Sequence, residues 1–142
     1  MAALTLAEIA RRTGGRILQG SPGVTFSEYG IDSRLTRPGA LFFAVRGERD
    51  GHDFVAAAAS AGAAGAVVSR PVTVSAAGFG LVEVPDTVAA LQSLARSVLT
   101  DVPAKVVGIT GSVGKTTTKE FTAALLAAKM RVRKSEGNFN NR

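Results

Sequence analysis

The sequence predicts an α/β protein: a small mixed-sheet α/β domain followed by the start of a P-loop domain. Three observations carry that reading. Short apolar runs bounded by turn residues, such as Leu41-Phe-Phe-Ala-Val45, alternate with helical patterns through the first 85 residues. A fresh helical pattern opens at Asp86. Then the apolar run Lys105-Val-Val-Gly-Ile109 leads into a glycine-rich turn, Thr110-Gly-Ser-Val-Gly-Lys-Thr-Thr-Thr118.

The elements follow in chain order. Thr5-Leu-Ala-Glu8 has capping-box spacing, so Thr5 is read as an N-cap with Glu8 reaching back to its amide. The helix it opens runs through Leu6, Ile9 and Ala10 and stops at Gly14-Gly15, where glycine accepts a left-handed cap. Strands are expected at Arg16–Leu18 and Val24–Tyr29, and the polar, turn-rich stretch from Asp32 to Gly39 reads as a loop. Leu41–Val45 has no polar alternation, the mark of a strand buried on both faces. A second loop, Arg46 to His52, precedes an alanine-rich helix over 53–61 that Gly62 and Gly65 end. Strands at Ala66–Val68 and Leu81–Val84 close the first domain at about residue 85. Asp86 then caps a helix whose apolar positions are Val88, Leu91, Leu94, Ala95 and Val98, ended by Pro103. Val106–Ile109 reads as a buried strand, and Lys129–Lys134 as a strand with one wet face.

Composition narrows the function classes. With 142 residues the chain can bury roughly 68% of its unfolded surface, enough for a sound core. It has no cysteine, which excludes disulfides, thiolate metal sites and thiol nucleophiles. No apolar run approaches the ~20 residues that span a bilayer, and the amino terminus lacks a signal-peptide pattern, so a cytoplasmic protein is expected. The net charge of +6 raises nucleic-acid binding. Its densest run, Lys129-Met-Arg-Val-Arg-Lys134, carries no aromatic for stacking and reads as a solvated strand edge, so no nucleic-acid partner is expected.

The chemistry concentrates in the glycine turn. Polyphosphate is densely charged and must be held without side chains in the way. Gly111 and Gly114 let backbone N–H groups approach it, and a helix beginning near Lys115 adds its positive end. Lys115 can reach the β- and γ-phosphates, and the Thr116 hydroxyl is placed for Mg²⁺. Thr117 and Thr118 extend the hydroxyl-rich first turn. The general phosphate-loop spacing asks for glycine where this chain has Ile109. His52, the single histidine, has no companion ligands and is not read as a metal site.

Thr110–Thr118 resembles the ATP loop of the Mur ligases, whose form, Thr-Gly-x-x-Gly-Lys-Thr/Ser, makes no demand for glycine at Ile109. Asp32-Ser-Arg34, Pro38–Val45 and Gly47-x-x-Asp-Gly-His-Asp-Phe54 resemble the amino-terminal domain shared by the tripeptide-adding and D-alanyl-D-alanine-adding members. Ser112, Lys119-Glu120 and Glu136-Gly-Asn-Phe-Asn-Asn141 are similar to the D-alanyl-D-alanine-adding branch.

The resemblance implies an ATP-dependent amide ligase of peptidoglycan precursor synthesis. It would join UDP-N-acetylmuramoyl-tripeptide to D-alanyl-D-alanine through an acyl phosphate, with ATP and Mg²⁺ as cofactors. It implies a UDP-substrate domain over 1–85 and the incomplete start of the central P-loop ATP-binding domain over 86–142. Carried over residue by residue, Thr110, Gly111, Ser112, Val113, Gly114, Lys115, Thr116 and Thr117 hold ATP. Lys115 is the catalytic residue and Thr116 the metal ligand. Ser33, Arg34, Arg46 and His52 hold the UDP end, and Asn140 and Asn141 face the cleft. Local readings stand beside these: Asp32 with Arg34 as a turn-stabilising pair, Asp50-Gly51 as an ordinary turn, and Gly137 with the asparagines as loop-shaping residues.

Because the chain ends at Arg142, it is expected to be inactive alone and to self-associate through exposed strand edges. The alternatives are a stand-alone nucleotide-sugar-binding module, the tripeptide-adding ligase, and a small P-loop kinase, the last disfavoured because no acidic Walker-B strand follows Lys115.

Overall fold

A computed structural model describes residues 3–135. By packing it divides into two compact units, Met1–Pro103 and Ala104–Arg142. The sequence boundary at 85 assigns the helix after Asp86 to the second part, but that helix packs against the first helix of the chain and lies in the first unit.

In the first unit, β1 (Leu4–Thr5) leads directly into α1 (Leu6–Thr13). The capping box forms as expected: the Glu8 carboxylate accepts the Thr5 amide at 2.8 Å, and the Thr5 hydroxyl accepts the Glu8 amide at 3.2 Å. Gly14 ends the helix at φ 68°, a left-handed conformation that glycine adopts without a Cβ penalty. β2 (Arg16–Gln19) follows, then β3 (Thr25–Phe26) and β4 (Tyr29–Gly30). The single strand expected over Val24–Tyr29 is therefore two, in different sheets: β3 pairs antiparallel with β1, and β4 joins the main sheet. A bend between them redirects the chain, which lets Phe26 point into the core while Tyr29 pairs with Leu41.

The remaining strands are β5 (Leu41–Phe43), β6 (Gly65–Val68) and β7 (Gly80–Glu83), with α2 (Val55–Ser60) between β5 and β6. The main sheet has the order β2-β7-β6-β5-β4. β4 to β7 run parallel, and β2 closes one edge antiparallel to β7, giving the mixed sheet that was predicted.

Both faces of this sheet are covered, which explains the continuous apolar runs. Leu41, Phe43, Val67, Val82 and Val84 point to one face, where they meet Leu6, Ile9, Phe26, Ala90 and Leu94. Phe42, Ala44, Ala66, Val68 and Leu81 point to the other and meet Val55, Ala58 and Phe79. The period-two alternation of a strand thus builds two cores, each worth about 1.5–3 kcal/mol for every large side chain buried. α3 (Thr87–Asp101) covers the first face, with the Asp86 carboxylate accepting the amides of Val88 and Ala89. Its buried positions are Thr87, Ala90 and Leu94, with Leu91 and Val98 half-buried, while Val88 and Ala95 face outward. The sequence stripe is rotated because the helix packs as one side of a three-layer stack.

In the second unit, α4 (Lys115–Ala127) forms directly after the glycine turn. The strands expected at Val106–Ile109 and Lys129–Lys134 are not formed within the described residues. A strand needs a hydrogen-bonded neighbour, and here Val106 and Val107 are exposed, at 69% and 60%.

Candidate functional site

Two groups of residues bear chemistry, one in each unit. In the first unit the four parallel strands all end on the same edge of the sheet. In open α/β sheets, ligands bind outside the carboxyl ends of such strands. The loops leaving β4, β5 and β6 carry Ser33 and Arg34, then Arg46 and His52, then Ser69 and Arg70. The fold therefore brings together on one edge the four amino-terminal residues that sequence reasoning selected.

Their local states differ. Ser33 and Arg34 lie in a 3-10 turn, Ser33–Leu35, capped by Asp32. The Arg34 guanidinium grips the Asp32 carboxylate with two hydrogen bonds, 2.9 and 2.7 Å, and its amide adds a third at 3.0 Å. These bonds, the side-chain ones foremost, hold the Asp32 carboxyl down to about 2 from an ordinary 3.8. Arg34 nonetheless stays 86% exposed, so its outer edge faces solvent. The turn-stabilising pair and an accessible guanidinium coexist.

Arg46 is exposed and lies 3.6 Å from the Asp50 carboxylate across a narrow hairpin-like loop, closed by an antiparallel bridge between Arg46 and Asp50. His52 is buried: Nδ1 sits 2.5 Å from Asp50 and Nε2 accepts the Ser69 amide at 2.8 Å. Both ring nitrogens have protein partners, so in this arrangement its ring serves the fold. Asp50 also accepts the His52 backbone amide and the Arg70 Nε, and these contacts, the His52 amide first, push its carboxyl well below the usual carboxylate range. Arg70, which sequence reasoning missed, completes the group with a 2.6 Å bond to Asp53. Its position just after the apolar run Gly65–Val68 was the available signal. A cleft of about 420 Å³ opens beside Ser69, lined also by Gly15, Arg16, Glu83 and Pro85.

In the second unit Gly114 caps α4 at φ 80° and Gly111 stands at φ 146°, both in the region that favours glycine. A Cβ at Gly114 would meet nothing within 4 Å, so the open face of the loop is left clear. An α-helix leaves its first-turn N–H groups without intrahelical acceptors, and these point out of the amino-terminal end. Lys115 reaches back across the loop and donates to the Gly111 carbonyl at 2.6 Å. A helix amino-terminal end with its dipole, and a lysine over a glycine turn, suit a polyphosphate. Thr110, Ser112, Val113, Thr116 and Thr117 line the same short segment. Further along, Lys119 donates to the Ser135 carbonyl and Lys134 pairs with Glu120, whose carboxyl is lowered chiefly by that lysine. Asn140 and Asn141 lie outside the described residues.

A glycine turn opening a helix in one unit and an arginine-bearing sheet edge in the other define an α/β protein with two candidate anion-binding features. Residues 25–99 match the family described as "Mur ligase family, catalytic domain", and the chain belongs to the Mur ligase family. Among its relatives, the UDP-N-acetylmuramoyl-tripeptide–D-alanyl-D-alanine ligase of Escherichia coli is 40% identical over 99% of this chain and 30% of its own length. The enzyme of the same name from Bacillus subtilis is 43% identical over 78% of this chain and 24% of its own length. A crystal structure of MurF from Acinetobacter baumannii superposes with a TM-score of 0.84 at 33% identity, covering 99% of this chain and 31% of that one. MurF from Thermotoga maritima in complex with ADP matches at 41% identity and a TM-score of 0.65, over 80% of this chain and 26% of that one. The chain thus spans roughly a quarter to a third of the proteins it matches.

Proposed function

We propose that this chain serves an ATP-dependent amide ligase that adds D-alanyl-D-alanine to UDP-N-acetylmuramoyl-tripeptide through an acyl phosphate, in the cytoplasm. The observation that carries the reading is 40% identity, along almost the whole chain, to a ligase named for that reaction. Within it, the first unit, to Pro103, holds the UDP substrate, and the second begins the ATP-binding part.

Each residue has a physical task. Gly111 and Gly114 keep the loop open for close backbone approach, and Lys115 turns from the Gly111 carbonyl toward the β- and γ-phosphates. The Thr116 hydroxyl would hold Mg²⁺, which would supply charge neutralisation at the phosphates. Such sites act by positioning and charge neutralisation during phosphoryl transfer. At the sheet edge, Arg34 and Arg46 are exposed guanidiniums suited to a diphosphate, and Ser33 supplies a hydroxyl beside them. Exposed Phe121 and Leu125 on α4 favour self-association of the chain by itself.

Calorimetry with the 142-residue chain tests the reading. UDP-N-acetylmuramoyl-tripeptide and Mg-ATP are each expected to bind, without ligation by this chain alone. Lys115→Ala is expected to weaken Mg-ATP roughly ten- to a hundredfold, the scale of one charge-assisted hydrogen bond, and to leave the UDP compound untouched. Absence of binding to the UDP compound would refute the substrate assignment.

A further inference from the structure

His52 is only 4% exposed, an unusual place for an imidazole on a loop that faces a ligand edge. A buried polar ring costs free energy unless its nitrogens are satisfied, and both are. Nε2 accepts the Ser69 amide at 2.8 Å, with the Ser69 hydroxyl 3.2 Å away. Accepting at Nε2 leaves the ring proton on Nδ1, which donates to Asp50 at 2.5 Å. One tautomer therefore joins two different loops: Asp50 leaves β5, and Ser69 leaves β6.

Asp50 is the hub of this joint. One carboxylate oxygen takes the His52 amide and ring, while the other lies 3.3 Å from Arg70 Nε and 3.6 Å from Arg46 Nε. Arg70 is further braced by Asp53. Both arginines keep accessible surface, 67% for Arg46 and 38% for Arg70. Two guanidiniums from neighbouring strand ends thus lie against one carboxylate oxygen, and guanidiniums are the groups that bind phosphate oxygens through paired N–H donors.

We propose that His52 is a positioning residue, and that by bridging Asp50 to the Ser69 amide it holds Arg46 and Arg70 as a pair that binds a nucleotide diphosphate. The proposal rests on the assignment of this edge to the UDP substrate. It changes the part played by His52 from contact to brace, and it adds Arg70 as a contact.

The experiment is titration of the intact chain with UDP and with UMP, with circular dichroism to confirm folding. His52→Ala and Arg70→Ala are each expected to weaken UDP at least tenfold while UMP changes less than threefold, so the preference for diphosphate collapses. His52→Gln, which restores an acceptor toward Ser69, is expected to recover part of that preference. A histidine that only supports the fold would lower the melting temperature and leave the UDP-to-UMP ratio unchanged, and that result overturns the proposal. If His52→Ala does not fold, Asp50→Asn is read by the same ratio. If the wild-type chain binds neither nucleotide, the substrate assignment falls and this proposal with it.

Discussion

A methyl group at Gly51 tests whether the loop after β5 is as tightly seated as its geometry states. A Cβ there would lie 2.6 Å from the Val45 carbonyl oxygen, 2.7 Å from the Val45 nitrogen and 2.8 Å from the Ala44 carbonyl carbon. All three are main-chain atoms, so no rotamer change relieves the contact. The loop must yield, and the 3.0 Å bond from the Gly51 amide to the Val45 carbonyl lies directly in the way. Overpacking of this kind costs about 1–3 kcal/mol. For a domain of this size that is on the order of 5–15 °C in melting temperature. Gly47, in the same loop, has nothing within 4 Å of its Cβ position, so Gly47→Ala is expected to stay within about 0.5 kcal/mol of wild type. Thermal unfolding followed by circular dichroism measures both, and hydrogen exchange at Ser69 reports whether the brace loosens. Gly51→Ala melting with wild type, or Gly47→Ala falling as far, would refute the reasoning.

Two further predictions concern the same edge. The buried Thr87 hydroxyl donates to the Ala44 carbonyl at 3.0 Å, so Thr87→Val is expected to lower stability by about 1–3 kcal/mol in urea titration, and an unchanged midpoint would contradict it. Asp32 is lowered from 3.8 to about 2 by Arg34, so its stabilisation is complete above about pH 4 and is lost as pH falls toward 2. The stability gap between wild type and Asp32→Asn is therefore expected to narrow over that window; the gap is small because the pair faces solvent, and a gap that widens on acidification would refute the sign.

Features encoded within a few residues were legible in the sequence. Thr5 with Glu8, Gly14, Asp86 and the Gly-Lys-Thr turn each satisfy a local backbone need, and each is where local rules put it. The buried run at Leu41 announced a covered parallel strand. What depended on distant partners was not legible. Val24–Tyr29 has the composition of one strand, yet its halves pair with β1 and β5. Val106–Ile109 is as apolar as β5 but has no neighbour to pair with in the described residues. In the site, Ser33, Arg34, Arg46 and His52 were carried over from the family resemblance, whereas the burial of His52 depends on Ser69 arriving from another strand. Asp50-Gly-His52 carried a hint, since an aspartate commonly accepts the amide two residues on.

The lysine of the phosphate loop is already engaged, with its ammonium on the Gly111 carbonyl. On the proposed assignment, nucleotide arrival there would exchange one acceptor for another. Trading a neutral carbonyl for a phosphate oxygen makes the lysine's bond charge-assisted, and adjoining phosphates would supply several such bonds together. On the ATP assignment proposed above, the loop would favour ligands of high charge density, such as adjoining phosphates. The same internal bond ties the first residue of α4 back to Gly111 at the start of the turn, across the glycine at φ 80° that precedes the helix.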